Sequence, residues 1–167
     1  FLTMIDDGKA SCVFVEQGCS VYADRPAACR AYPAGRGASR QADGSVEEQF
    51  VLLREPHCLG FAETQEQTAP EYFRDQGMSE YSRFDDQLLQ LLQHPQIQAG
   101  FRPNQAQMDQ YVMDLYNLDF FRQEMSDGRI SMRRPLSVLE LRALAGDEEE
   151  LLLLGLRWLV QEYFGEA

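Results

Sequence analysis

The chain has 167 residues, a length that suits one compact domain or a small cysteine-bearing lobe joined to a helical one, and excludes repeat arrays and large multidomain enzymes. Its formal net charge of -12 argues against a nucleic-acid-binding surface, which needs a clustered basic face, and favours a basic protein partner over an acidic one. The charge is uneven: residues 1–60 hold six Lys or Arg against eight Asp or Glu, and the remainder nine against nineteen.

Along the chain, Ser11-Cys-Val-Phe-Val15 and Cys19-Ser-Val-Tyr22 are β-branched and aromatic runs flanking Glu16-Gln17-Gly18, a pattern that predicts a hairpin bringing Cys12 near Cys19. Asp24 is placed to cap a short helix, Pro26 suits its first turn and Pro33 stops it, which puts Cys29 on that helix. Gly35 to Ser45, rich in Gly, Ser, Ala and Arg, reads as an exposed loop, and Gln49-Phe-Val-Leu-Leu-Arg54 as a strand that ends in the turn Pro56-His57-Cys58-Leu59-Gly60.

From Thr68 the pattern becomes helical. Tyr81, Phe84, Leu88 and Leu91 recur every three or four residues, with His94 at the helix end and Pro95 closing it. Asn104 starts a helix carrying Met108, Tyr111, Val112 and Leu115 on one face, a break near Asn117 precedes another over Asp119 to Met125, and Ser137 to Ala145 gives a short one. The last predicted helix, Asp147 to Phe164, has an acidic first turn that suits the helix dipole and is apolar on several sides, so it belongs between other helices. Its apolar run Leu151 to Val160 contains Arg157 and is too short to span a bilayer, and no secretory pattern is visible. The fold class is α+β: a hairpin- and loop-rich lobe over residues 1–65, then a mainly helical region over 66–167.

All four cysteines, Cys12, Cys19, Cys29 and Cys58, fall in the first third, spaced Cys-x6-Cys-x9-Cys-x28-Cys without a Cys-x2-Cys pair. Buried thiols, disulfides and metal ligands are the competing readings. Chance burial does not explain the clustering, nothing in the sequence points to an oxidising compartment, and metal ligation accounts for the confinement best. Lys9, Arg25, Arg30, Arg36 and Arg40 are interleaved with the thiols, where cationic charge lowers thiolate pKa; Arg25 and Arg30, closest to Cys29, are the candidates for tuning charge beside the site, and Arg36 and Arg40 read as loop residues. Phe14, Tyr22 and Tyr32 are candidates to shield it from water, and His57 is an alternative ligand adjacent to Cys58. There is no His-Glu-x-x-His, Gly-rich phosphate loop or nucleophile elbow, and the acidic pairs Asp85-Asp86 and Glu148-Glu149 read as solvated or dipole-compensating faces, so no catalytic residue is assigned.

The run Cys12-Val-Phe-Val-(x3)-Cys19-Ser-Val-Tyr-Ala-Asp-Arg-Pro-Ala-Ala-Cys29-Arg-Ala-Tyr-Pro33 resembles the YkgJ-like cysteine-cluster family, also called the zinc- or iron-chelating CxxCxxCC family. Cys58 in Pro-His-Cys-Leu-Gly resembles that family's next cysteine, and Gln76-Gly-Met-Ser-Glu-Tyr81 and Tyr116-Asn-Leu-Asp-Phe-Phe-Arg122 are similar to text in its longer members. The resemblance implies a bacterial or archaeal cytoplasmic protein holding an iron-sulfur cluster or zinc, with the family's CxxCxxCC segment expected ahead of residue 1. Two functional expectations follow: an iron-sulfur protein that passes electrons to a redox partner or supports an oxidoreductase, or a structural zinc module whose acidic helical part binds a partner.

Overall fold

The computed structural model of the chain describes residues 5, 6, 8, 12–56 and 58–165. Among them it has one two-stranded antiparallel sheet, eight α-helices and a short 3-10 turn over Leu59–Ala62, an α+β fold that is mainly helical after its hairpin. The chain divides into two compact units, the first comprising residues 1–37 and 49–81 and the second residues 38–48 and 82–167.

The hairpin is not where the β-branched residues predict it. Residues 12–22 make a run of turns that includes an antiparallel bridge between Val15 and Cys19, and Ser11 lies outside the described residues. The strands are β1 (Ala34–Arg40) and β2 (Val46–Leu52), so most of the segment read as a loop is a strand. Strand propensity reflects packing on a half-buried pleated surface more than an intrinsic backbone preference. Val13 and Val15 are exposed and have no such surface, whereas Ala34 is buried against Phe73 and Met78. The glycines also have a use: a Cβ on Gly35 would stand 3.1 Å from Val51 Cγ2, so the small residue lets the strands lie close. The turn between them is closed by Gln41 N–H donating to Ser45 O and turned by Gly44 at a φ of 86°.

In the first unit, α1 (Ala27–Ala31) is shorter than expected and is preceded by Pro26, not Asp24, at its cap position. Next in chain order, α2 (Ala69–Asp75) opens with a capping box in which Thr68 accepts from Glu71 N–H and the Glu71 carboxylate accepts from Thr68 N–H. Phe73 of α2 meets Phe50 edge to face, with ring centroids 5.1 Å apart. Ala34, Phe73 and Met78 form the buried cluster of this unit, with Ala27, Ala31, Phe50 and Tyr72 packed on it.

The second unit contains most of α3 (Ser79–Leu92), then α4 (Pro95–Gln98), α5 (Gln105–Tyr116), α6 (Leu118–Ser126), α7 (Val138–Leu144) and α8 (Glu148–Phe164). Pro95 does not simply terminate α3; it opens α4, whose cap is His94, with Nδ1 accepting from Gln96 N–H. The His94 ring is buried and stacked on Phe164 at 3.7 Å. The start of α5 at Asn104, the break at Asn117 and the α7 cap at Ser137 fall where the sequence signals them. The centre is α8, whose Leu151, Leu154 and Leu159 are essentially inaccessible beside Phe121 of α6 and Ala143 of α7. Burying each of those leucines stabilises the unit by about 1.5–3 kcal/mol. Among the described residues no helix is long and apolar enough to cross a membrane.

Candidate functional site

The first unit carries all four thiols, none in a disulfide and each half-buried. Cys12 and Cys19 belong to the turn segment, where Val15 N–H donates to Cys12 O at 3.1 Å and Ser20 N–H to Phe14 O at 2.9 Å. Cys29 lies in the middle of α1, its N–H donating to Pro26 O. Cys58 caps the 3-10 turn and donates its N–H to Glu55 O at 3.0 Å. Local hydrogen bonding thus fixes the four cysteines on three short elements, the 12–22 turns, α1 and the start of the 3-10 turn.

Arg25 precedes α1 and Arg30 belongs to it, and their guanidiniums bind carbonyl oxygens. Arg30 donates from Nε to Arg25 O at 2.7 Å, from Nη2 to Ala23 O at 2.5 Å and from Nη1 to Gln76 O at 3.4 Å. Arg25 donates from Nε to Tyr22 O at 3.0 Å and from Nη2 to Gln76 Oε1 at 3.2 Å, and stacks over the Tyr22 ring at 3.8 Å. The pair ties the segment ahead of α1 to the end of α2.

Cys58 has phenols for neighbours. The Tyr32 hydroxyl donates to Glu55 Oε2 at 2.8 Å, and its pKa is pushed up to about 12, first by burial, then by the hydrogen bond to Glu55 and that carboxylate's charge, with a smaller contribution from Cys58. Tyr72 donates its hydroxyl to Tyr32 O at 2.5 Å; burial raises its pKa, the Arg25 charge opposes this, and Cys58 adds to it. Tyr32 therefore lies beside the Cys58 thiol. Phe14 and Tyr22 do not provide the expected shielding, since both are exposed, Tyr22 at 63%. Lys9 and the alternative ligand His57 lie outside the described residues.

A closed thiolate site requires four ligand atoms around one ion at bonding distance. Among the described residues, no three His, Cys, Asp or Glu side chains are gathered to hold a metal ion. The four thiols as placed do not fit a closed tetrathiolate site, and the structure leaves them as separate half-buried groups.

The second unit holds polar groups that sequence reading left unassigned. Glu140, 5% exposed, accepts from Arg134 Nη2 at 2.8 Å and from Ser137 N–H at 2.6 Å, and is also paired with Arg157. Asp114 is 2% exposed in the centre of the helices. Arg157 was legible as a charge inside an apolar helical run, and Ser137-x-x-Glu140 as a capping box; Asp114 has no comparable signal in the sequence.

These features define a two-unit α+β protein with its thiols confined to the first unit and a helical core in the second. No protein-family model, curated protein or solved structure matches the chain.

Proposed function

We propose that the first unit is a cysteine-based metal module of the kind implied by the YkgJ-like resemblance, with Cys12, Cys19, Cys29 and Cys58 as ligands of an iron-sulfur cluster. Its role on this reading is electron transfer to a redox partner, or support of an oxidoreductase, in the bacterial cytoplasm. The observation that carries it is the confinement of all four thiols, outside any disulfide and half-buried, to a unit whose buried hydrophobic cluster, among the described residues, is Ala34, Phe73 and Met78. So small a core calls for a covalent or metal staple. Because the thiols do not surround an ion as placed, the reading requires the Cys12–Cys19 turns, α1 and the Cys58 turn to draw together on binding, coupling this unit's folding to metal uptake.

The same small core favours a second reading, a structural zinc module, because tetrathiolate sites suit both metals. In either case the acidic helical unit is the surface for a basic protein partner, and the net charge of -12 argues against nucleic acid. Purification without oxygen, followed by visible spectroscopy and assay of iron, sulfide and zinc, tests both. Brown protein with iron and acid-labile sulfide supports the cluster, and colourless protein with stoichiometric zinc supports the structural module. Protein without bound metal overturns both readings.

A further inference from the structure

We propose that the helical unit has a second, metal-independent site: a pocket for a small organic monocarboxylate, held by Arg134 and Arg157. A cavity of about 200 Å³ opens between the segment before α7, the face of α8 and Gln90 of α3, with Gln90, Arg134, Arg157 and Gln161 on its polar side and Met132, Leu156 and Val160 on its apolar side. Glu140, behind the two guanidiniums, is already saturated: it accepts two hydrogen bonds from Arg134 and one from Ser137 N–H, besides its ion pair with Arg157. Arg157 Nε is buried and, among the described residues, has no acceptor.

Charge and shape select the ligand. Two guanidiniums against one carboxylate leave one positive charge at the cavity, in a protein whose net charge is -12. Burial and the charge of Arg134 both press the Arg157 pKa downward. A monoanion balances that charge, and the planar fork of arginine matches a carboxylate. A dianion over-neutralises the pocket and leaves Met132, Leu156 and Val160 against water, while an ammonium is repelled. The volume is below the ~300–1,000 Å³ of drug-sized pockets, which restricts the apolar body to a short chain.

This site is in a different unit from the thiols and stands whether or not the metal reading does. The test is a titration of ¹⁵N-labelled protein with sodium butyrate, following the Gln161 side-chain amide and the Arg157 Nε–H, with butylamine and inorganic phosphate at matched ionic strength as the other arms. Saturable shifts of both signals with butyrate, none with butylamine and weaker binding of phosphate are expected. Arg157→Gln weakens butyrate binding at least about tenfold, the loss expected for a charged hydrogen-bonding partner. Arg134→Gln, at a more exposed position, weakens it in the same direction and serves where the first variant does not fold, judged by thermal unfolding without ligand. No saturable response to butyrate, an equal response to butylamine, tighter phosphate binding, or undiminished butyrate binding in a folded variant overturns the proposal.

Discussion

Gly155 of α8 faces the backbone of Asp114 on α5 so closely that a Cβ on the glycine would stand 3.0 Å from the Asp114 carbonyl oxygen and 3.5 Å from Leu115 Cδ2. The first obstacle is backbone and cannot rotate away. Gly155→Ala therefore sets a gain of about 1 kcal/mol in helix propensity against an overpacking cost of ~1–3 kcal/mol. The clash is expected to win by about 1 kcal/mol, and Gly155→Val to cost more, since branching adds crowding to the same contact. Denaturant midpoints for the helical unit check this; an alanine variant more stable than the parent would show that α5 and α8 can part without loss.

The Asp114 side chain is nearly inaccessible, and burial raises its pKa from 3.8 to about 6. Trp158 and Gln110 partly oppose the shift, whereas the charges of Glu124 and Glu162 reinforce it. Because the folded state holds this proton more tightly than the unfolded state, its stabilising contribution is complete below pH 3.8 and is lost as pH rises through about 6. Asp114→Asn removes that dependence and stabilises the unit at neutral pH by about 1–2 kcal/mol. Unfolding free energies of parent and variant between pH 4 and 8 are the measurement, and parallel pH profiles would refute the assignment.

The helical unit was legible because its boundaries are chemical. Asn104, Asn117, Ser137 and Asp147 each accept a backbone N–H at a helix start, and α8 shows its buried position by being apolar on several sides. The hairpin was not, because Ala34–Arg40 is composed of residues that favour loops and becomes a strand only by pairing with Val46–Leu52. Local composition carries no record of that partner. Of the candidate site, sequence located the thiols and Tyr32, but it read Arg25 and Arg30 through their charge. Their roles on the carbonyls of Tyr22, Ala23, Arg25 and Gln76 depend on a chain reversal that brings residue 76 back to α1.

Arg30 offers a separation of those two roles. As a staple it makes three hydrogen bonds to carbonyls, two within the segment ahead of α1 and one to Gln76. Arg30→Gln is expected to destabilise the first unit by about 1 kcal/mol or somewhat more, the partial exposure of these bonds limiting the loss. Amide exchange should quicken around residues 23–31 and 76–78. A change confined to metal affinity or potential, with unaltered exchange, would instead assign Arg30 to electrostatic tuning.

Tyr32 reports on the ground beside Cys58. Its hydroxyl is held by Glu55, and its pKa stands near 12 rather than 10. Glu55→Gln removes a negative charge that opposes phenolate formation, so the Tyr32 pKa should fall while remaining above its ordinary value, because burial persists. NMR titration of the ring carbon bearing the hydroxyl measures it directly. No downward movement would mean that burial alone holds the phenol neutral.

The unequal cores of the two units make the metal reading testable through stability as well as through spectra. Among the described residues, Ala34, Phe73 and Met78 are the buried cluster of the first unit, whereas the second has ten residues in its cluster, including Phe121, Leu151, Leu154 and Leu159. If the four thiols bind a metal, its binding energy contributes to folding of the first unit. Chelation, or Cys29→Ser, should then abolish the bound-metal signal and speed amide exchange across residues 12–37 and 49–78, while the α5–α8 amides keep their protection. Helix α1 is the sensitive place, because five residues cannot sustain a helix without tertiary support. Unchanged exchange in the first unit after metal removal would show that its small core suffices, and would leave the cysteines no structural task.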